Sequence, residues 1–257
     1  MDTLSLLYFS PTQTTQRILT AIGEGLAAAH TLAQDLTFAP FTGPLPPSQL
    51  LLVGVPVYGG RIPEIVYPRL AQLDGQGVPT VAVVLYGNRA YEDALLELAD
   101  LLRQRGCQLV AAGAFIGEHS YSTAEHPTAA NRPDESDLAQ ARAFGRQLAQ
   151  HRQDGQFGTP VLPGQFPYKE RKPSSGLVPQ TEMALCLRCL ACVEACPTGA
   201  ISADEPGQTD STLCIGCAAC IKACDVAARA YQDPYMLALS ARLSQQCQVR
   251  LEPELFF

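Results

Sequence analysis

The feature that most constrains this chain is a run of four cysteines that occurs twice. The first run, CLRCLACVEACPTG, covers residues 186–199, and the second, CIGCAACIKACDVA, covers residues 214–227. In each run the cysteines are separated by steps of three, three and four residues. An offset of 28 residues maps one run onto the other and also pairs Ala200 with Ala228, so the two runs form an internal duplication.

Thiolates are soft ligands that suit both zinc and iron–sulfur clusters, so the spacing has to discriminate between them. A pair of structural zinc sites is the alternative, but it needs no third cysteine at the same short step. Three cysteines at this spacing can wrap one [4Fe–4S] cluster, while the fourth ligates the cluster of the other run. The spacing therefore predicts two [4Fe–4S] clusters with crossed ligand sets. One set is Cys186, Cys189, Cys192 and Cys224, and the other is Cys214, Cys217, Cys220 and Cys196.

Residues 181–231, about 50 positions with all eight ligands in place, resemble the clostridial type of two-cluster ferredoxin. This resemblance implies a small α+β domain. Asp225 follows the last cysteine of the second run, where that type usually has proline, and Arg188 lies inside the first run. Because nearby charge tunes a cluster, we expect the two clusters to differ in reduction potential. The alternative is that both charges are solvated and have little effect.

Residues 1–152 alternate short, β-rich apolar runs with amphipathic helical stretches. This pattern is typical of an α/β domain, in which helices cover both faces of a parallel sheet. The predicted strands are residues 4–9, 32–37, 50–56, 78–86 and 109–116. The predicted helices lie near residues 15–29, 63–73, 91–105 and 135–151, and Asp134 is expected to start the last of them.

A hydroxyl-rich loop, YFSPTQTTQRI, joins the first strand to the first helix. Backbone amides and hydroxyls at such a place can surround a phosphate, although a threonine-rich helix cap has the same sequence signature. The loop resembles the flavodoxin phosphate loop, with Gln13 where glycine is usual. If that position needs a positive φ, the Gln13 side chain is a cost. The resemblance implies that the FMN phosphate binds to Ser10, Thr12, Gln13, Thr14 and Thr15.

Two further loops leave the carboxyl ends of later strands, where open α/β sheets hold their ligands. They are VPVYGGRIPE after the third strand and LYGNRAYED after the fourth. Each of them alone is more often a plain turn. His119, in GEHSYS after the fifth strand, is either a proton donor at a ligand's edge or a loop histidine with no other task.

The three loops beside the cysteine module resemble those of the fused flavodoxin/ferredoxin electron-transfer proteins of anaerobes. The resemblance implies a flavodoxin-like, five-stranded parallel sheet in the order 2-1-3-4-5, followed by the two-cluster domain. It also implies FMN as a cofactor, with Arg89 and Tyr91 at the rim of the site. The residues expected to line the isoalloxazine ring are Tyr58, Gly59, Tyr86, Gly87 and Asn88.

FMN can hold one or two electrons, whereas a [4Fe–4S] cluster passes one at a time. We therefore expect an electron-transfer protein that passes electrons between its clusters and FMN, and a redox partner protein or a small electron acceptor. The alternatives are a flavin-dependent reductase of a small organic acceptor and, less favoured, a redox or iron sensor. Electron carrier and FMN/Fe–S oxidoreductase both stay open, and no catalytic residue is assigned.

Two segments lie outside these units. Residues 153–180 are rich in proline and glycine and are expected to form an extended linker. Residues 232–257 contain an expected short helix after Pro234 and end in LEPELFF. Because so apolar an end is unfavourable in water, we expect it to pack back on the first domain.

Composition bears on partners and location. The net charge of −7 argues against nucleic acid or an anionic membrane as the main partner, and no apolar run is long enough for a membrane span. The first residues lack the basic flank and cleavage site of a signal peptide, so we expect a cytoplasmic protein with metal-bound cysteines rather than disulfides. Cys107 and Cys247, outside the repeat, are expected to be buried as small apolar residues.

Overall fold

Five parallel strands form the centre of the first domain in the computed structural model, which describes residues 3–171 and 176–257. Their order in the sheet is β2-β1-β3-β4-β5, which confirms the flavodoxin-like order expected from the sequence. The strand bounds differ from the predicted ones by at most two residues. The strands are β1 (Thr3–Tyr8), β2 (His30–Asp35), β3 (Leu50–Pro56), β4 (Pro79–Tyr86) and β5 (Gln108–Ile116).

Helices cover both faces of this sheet. They are α1 (Thr14–Leu26), α2 (Val66–Arg69), α3 (Ala94–Gln104) and α4 (Glu135–Gln153). Helices α1 and α4 bury one face of the sheet, and α2 and α3 bury the other. The close packing of α1 on α4 depends on Gly25, because a Cβ there would lie 2.1 Å from the backbone oxygen of Arg142.

The predicted helix at 63–73 is wrong in length, since only the four residues of α2 are helical. Pro68 has no N–H to donate to the carbonyl of Glu64, so a regular helix cannot extend through this segment. In contrast, the predicted start of α4 is confirmed. The side chain of Asp134 accepts a hydrogen bond from the amide of Asp137, whose own side chain accepts one from the amide of Asp134.

The cysteine repeat forms a small domain in which the duplication is visible in the backbone. Positive φ angles recur at positions 28 residues apart, with Leu190 at 64° and Ala218 at 60°. Each of these residues begins a short helix, and a two-stranded antiparallel ladder closes the domain. These elements are β6 (Gln180–Thr181), α5 (Ala191–Glu194), α6 (Ala219–Lys222) and β7 (Arg229–Ala230).

The last residues of the chain return to the first domain. Helix α7 (Pro234–Gln246) is followed by β8 (Glu254–Phe256), which pairs antiparallel with β5 and makes the sheet six-stranded. Beyond it, the ring of Phe257 stacks on His151 at 4.4 Å between centroids. The five expected parallel strands thus gain an antiparallel edge strand that was not predicted from the sequence.

The segment that joins the domains lies against the surface of the first domain. The amides of Gln165 and Lys169 donate to the two carboxylate oxygens of Asp93, at 2.9 and 2.6 Å. Arg171 donates to Glu97, whose carboxylate is fully buried. In the described part of the chain, no helix combines the length and the apolar character that crossing a membrane requires.

The two cysteines outside the repeat differ in burial. Cys107 lies in the apolar core, as expected. The prediction for Cys247 is wrong, because this residue ends α7 and is only partly buried.

Candidate functional site

The hydroxyl-rich loop turns sharply between β1 and α1. Gln13 is the N-cap of α1 and has a φ of 64°, so the position where flavodoxin loops usually have glycine does require the left-handed region. The Ser10 hydroxyl accepts a hydrogen bond from the amide of Gln16 at 3.1 Å, and the amide of Ser10 donates to the Thr37 hydroxyl at 2.8 Å. Thr12 and Thr14 bring their hydroxyls within 3.4 Å of each other.

Thr15 distinguishes this loop from an ordinary helix cap. Its side chain is 1% exposed, and its hydroxyl has no hydrogen-bond partner among the described residues. A buried hydroxyl without a partner is costly, which indicates that an additional group completes the site. The first amides of the 13-residue α1 have no intrahelical acceptor, and the helix dipole is positive at this end. The loop therefore fits an anionic oxygen group such as a phosphate.

The loop after β3 is a tight turn. The amide of Tyr58 donates to the carbonyl of Arg61 at 2.9 Å, and the amide of Arg61 donates back at 3.2 Å. Gly59 and Gly60, between them, have positive φ angles of 62° and 85°. No described atom lies within 4 Å of the place where a Cβ on Gly59 would stand, so a flat ring can approach the backbone there.

The loop after β4 does not present its side chains as the sequence analysis expected. Tyr86 lies in the apolar core and packs on Tyr91, which is also buried and therefore not at a rim. Gly87 faces the ring of His119, since a Cβ on Gly87 would lie 2.3 Å from His119 Cδ2. Arg89 pairs with Glu92 at 2.5 Å.

Asn88 uses its side chain to hold the C-terminal segment. Its amide nitrogen donates to the carbonyls of Cys247 and Val249, at 2.9 and 2.8 Å. Its amide oxygen accepts from the amide of Leu251 at 3.1 Å and from the guanidinium of Arg132 at 3.3 Å. These four bonds use both donors and both lone pairs, so only the backbone of Asn88 is left for a ligand.

His119 is a neutral, packed side chain. Desolvation by burial, with smaller contributions from Arg89 and Lys222, lowers its pKa to about 4. Its Nδ1 accepts a hydrogen bond from the amide of Tyr121 at 3.1 Å, and the two rings lie 5.4 Å apart. At neutral pH His119 therefore has no extra proton to donate.

One crossed set of cysteines surrounds a cavity in the small domain. We call this group the inner set; it consists of Cys196, Cys214, Cys217 and Cys220, all of which line the cavity. Burial raises the pKa of Cys217 to about 12, while the backbone N–H of Ala219 donates to this sulfur and favours the thiolate. The amide of Ala200 likewise donates to Cys196 Sγ at 3.2 Å. The inner set therefore combines an enclosed position with N–H donors that contact its sulfurs.

The other crossed set is more open to solvent. This outer set consists of Cys186, Cys189, Cys192 and Cys224, of which Cys189 is exposed and the others are partly buried. The amide of Arg188 donates to Cys186 Sγ at 3.4 Å, and the side chains of Arg188 and Asp225 are exposed. Across the described residues, no three His, Cys, Asp or Glu side chains meet at a point that could hold a single metal ion. In a cubane each thiolate binds a different iron atom, so its ligands need not meet at one point.

Three tyrosines join the loop after β3 to the inner set, although they are far apart in the sequence. Burial raises the pKa of Tyr58 well above its usual value, and nearby Cys217, Tyr121 and Tyr231 raise it further. The rings of Tyr121 and Tyr231 meet edge to face at 5.5 Å. Tyr121 follows β5 and Tyr231 follows the second cysteine run, so only the fold could reveal that they are neighbours.

Comparisons with known proteins found matches to two parts of the chain. Residues 185–228 match the family described as a 4Fe-4S dicluster domain. A flavodoxin from the domain Archaea is 16% identical, with a TM-score of 0.42, and covers 58% of this chain and 96% of its own. Oxidised flavodoxin 1 from Bacillus cereus is 17% identical, with a TM-score of 0.44, and covers 58% and 99%. A search of the curated proteins found no match.

The chain joins an α/β domain with a flavodoxin-like strand order to a region that matches a 4Fe–4S dicluster domain. The flavodoxin-like topology follows from the strand order of the sheet itself.

Proposed function

We propose that this protein transfers electrons between two [4Fe–4S] clusters and a bound FMN. The observation that carries the proposal is the cavity lined by Cys196 together with Cys214, Cys217 and Cys220. This cavity combines three thiols of the second run with the fourth thiol of the first, as crossed ligation requires. Since all four thiols must lose their protons to bind iron, the N–H groups that donate to these sulfurs favour the bound state.

FMN would supply a centre that exchanges either one or two electrons. The residues proposed to bind its phosphate are Ser10, Thr12, Gln13, Thr14 and Thr15. Among them Thr15 contributes a buried hydroxyl without a hydrogen-bond partner among the described residues, and α1 contributes its positive N-terminal end. Tyr58 and the open backbone at Gly59 would bind the ring, with the backbone of Gly87 and Asn88 nearby. Tyr86, at the end of β4, packs in the core and would not face the flavin ring.

The positions of the two cysteine sets support an order of electron transfer. The inner set lies beside Tyr58, Tyr121 and Tyr231, on the side of the small domain that faces the proposed flavin loops. The outer set includes the exposed Cys189. A partner protein would therefore deliver electrons to the outer cluster, and the inner cluster would pass them towards FMN.

We also propose the domain limits on which this arrangement depends. Residues 1–152 form the FMN-binding domain, 153–180 the linker and 181–231 the cluster domain. Residues 232–257 complete the first domain by adding β8 to β5 and by binding Asn88. Deletion of residues 250–257 is expected to lower the thermal midpoint of the first domain, and an unchanged midpoint and proteolysis pattern would contradict this assignment.

The first test of the cofactor assignment is the content of iron, sulfide and flavin per chain. The full chain, purified without oxygen, is expected to contain about eight iron atoms, about eight sulfides and about one FMN. Zinc in place of iron, or a protein without flavin, would overturn the proposal.

The variant Thr15→Val then tests the phosphate site. Loss of a hydrogen bond to a charged group costs about 1.5–3 kcal/mol, so FMN should bind about 10- to 100-fold more weakly. The control is Thr20→Val, which makes the same change at an exposed position of the same helix and should leave FMN affinity unchanged.

Turnover experiments separate an electron carrier from a reductase. A carrier should oxidise its flavin quickly only when a partner protein is present, and small organic acceptors should be inert. Rapid, saturable oxidation by one small molecule would instead favour a flavin-dependent reductase.

A further inference from the structure

Arg229 is the largest fully buried side chain in the described part of the chain, with 2% exposure. It lies on β7, directly after the second cysteine run. The offset of 28 residues places Ile201 at the equivalent position of the first half, where an apolar side chain lines the inner cavity. At this position the second half of the duplication therefore has a cation and the first half has an apolar side chain.

The oxygen partners of Arg229 are neutral. One terminal nitrogen donates to the Thr181 hydroxyl at 2.6 Å and to the carbonyl of Pro206 at 3.1 Å, and the other donates to the Thr209 hydroxyl. Its Nε is buried and has no hydrogen-bond partner among the described residues. No carboxylate in the described part of the chain pairs with this guanidinium. Burial of an unpaired charge costs several kcal/mol, so an anion is needed nearby.

The neighbouring groups that can become anionic are cysteines of both sets. The Thr209 hydroxyl, which accepts a hydrogen bond from Arg229, lines the cavity of the inner set, as does Ile201 at the equivalent position of the first half. The nearby Arg229 charge favours the thiolate of Cys220, against the larger, opposite effect of burial on the pKa of this thiol. The charge of Arg229 also acts on Cys214 of the inner set and on Cys192 of the outer set. The guanidinium is thus bonded to a residue in the wall of the inner cavity, and its charge also reaches one thiol of the outer set.

We propose that Arg229 is the shared counter-charge of the two clusters and raises their reduction potentials, that of the inner cluster most. The inference rests on the proposed function, because it requires clusters in both cysteine sets. A cluster with four thiolates is anionic, and the electron that it accepts from a one-electron donor adds one more negative charge. A fixed cation in a poorly screened interior stabilises the reduced form more than the oxidised form.

The test compares three variants of the full chain, purified without oxygen. Arg229→Met removes the charge with little change in length, Arg229→Lys keeps the charge without the planar donors, and Ile201→Met is the control at the equivalent position. Iron and sulfide are quantified first, and both couples are then followed by voltammetry and EPR-monitored redox titration.

In Arg229→Met we expect both couples to move to lower potential. At a fixed potential, the ratio of reduced to oxidised inner cluster should fall at least tenfold, which corresponds to about 59 mV for a one-electron couple. Arg229→Lys should recover most of this shift, and Ile201→Met should leave both couples in place.

Fully loaded Arg229→Met protein with unchanged couples would overturn the inference and leave the proposed function intact. Wild-type protein without iron would overturn the proposed function itself. If Arg229→Met does not assemble clusters, Arg229→Gln keeps hydrogen-bond donors without the charge and is titrated instead. Couples equal to those of the wild type in Arg229→Gln would then contradict a role for the charge.

Discussion

The inner and outer cysteine sets come from runs with the same cysteine spacing, but they have different surroundings. Cys217 and Cys220 of the inner set are each 8% exposed, whereas Cys189 of the outer set is exposed. The inner set faces the tyrosines of the first domain. Near the outer set, Leu185 and Leu187 are 54% and 70% exposed. A sequence duplication fixes ligand spacing, but the domain that packs on one half decides which pocket is enclosed.

This asymmetry extends to charge. Lys222 on α6 pairs with Glu118 of the first domain and donates to the carbonyl of Ser122 at 3.2 Å. The equivalent position of the first half is Glu194, which is exposed. The second half therefore carries a cation where it contacts the first domain, and the first half carries an anion that faces solvent. The same kind of substitution should therefore change the stability of the protein differently beside the inner set and beside the outer set.

The largest expected difference is in cluster loss. Cys217→Ala with Cys220→Ala should remove the inner cluster, roughly halve the iron content and weaken the contact between the domains. Cys186→Ala with Cys189→Ala should also halve the iron content but leave the first domain's thermal midpoint unchanged. Iron analysis and calorimetry of both double variants measure this, and equal destabilisation by the two would contradict the asymmetry.

Removal of the Tyr121 ring should have the next largest effect. This ring packs against both His119 and Tyr231, so Tyr121→Ala should destabilise the contact between the domains by about 3–5 kcal/mol. Flavin reduction after addition of a limiting reductant should also slow. Tyr235→Ala is the control, because Tyr235 is 60% exposed and its removal should change stability by less than about 0.5 kcal/mol.

Acid should lower the stability of the folded protein through His119, which packs on Tyr121 beside the inner set. Burial lowers the pKa of His119 from 6.5 to about 4, so between these values the unfolded chain binds a proton that the folded chain does not. Stability should therefore fall as the pH drops from 7 to 4, by about 3 kcal/mol from this group. His119→Gln should flatten the dependence, measured by denaturant unfolding at each pH. The same change at the exposed His30 should leave the slope as it is in the wild type.

The smallest effect concerns the ion pair between Lys222 and Glu118. Both side chains are partly exposed, so Lys222→Gln should cost less than about 1 kcal/mol, and the difference should shrink at high salt. Glu194→Gln, at the equivalent position of the first half, should have no measurable effect. A larger effect from Glu194→Gln than from Lys222→Gln would show that the first half also contacts a charged surface.

Local pattern was enough to predict the strands, whereas the order of the sheet was implied by the resemblance to a known family. Cysteine spacing grouped Cys196 with the second run, and Cys196 lines one cavity with three cysteines of that run. Apolar periodicity and cysteine spacing depend on short stretches of chain, so they can be read without a structure. It was also enough to identify the strain at Gln13, whose φ of 64° follows from the shape of the loop.

Contacts between distant segments could not be predicted in this way. Asn88 looked like a ligand-binding residue, but its side-chain hydrogen bonds are all used, three by the C-terminal segment about 160 positions later and one by Arg132. The side chain of Tyr86, the last residue of β4, lies in the core and not at the loop surface. The role of Arg229 became visible only when burial and its neutral partners were known, although its pairing with Ile201 at an offset of 28 was a signal in the sequence.

Single-turnover reduction tests the central claim, that the inner cluster lies between the outer cluster and the flavin. Wild-type protein and the two double cysteine variants, each loaded with FMN, are mixed with a small one-electron donor without oxygen, and flavin reduction is followed by absorbance. Fast reduction is expected in the wild type and in the protein without the outer cluster, and slow reduction in the protein without the inner cluster. Equally fast flavin reduction without the inner cluster would contradict this account.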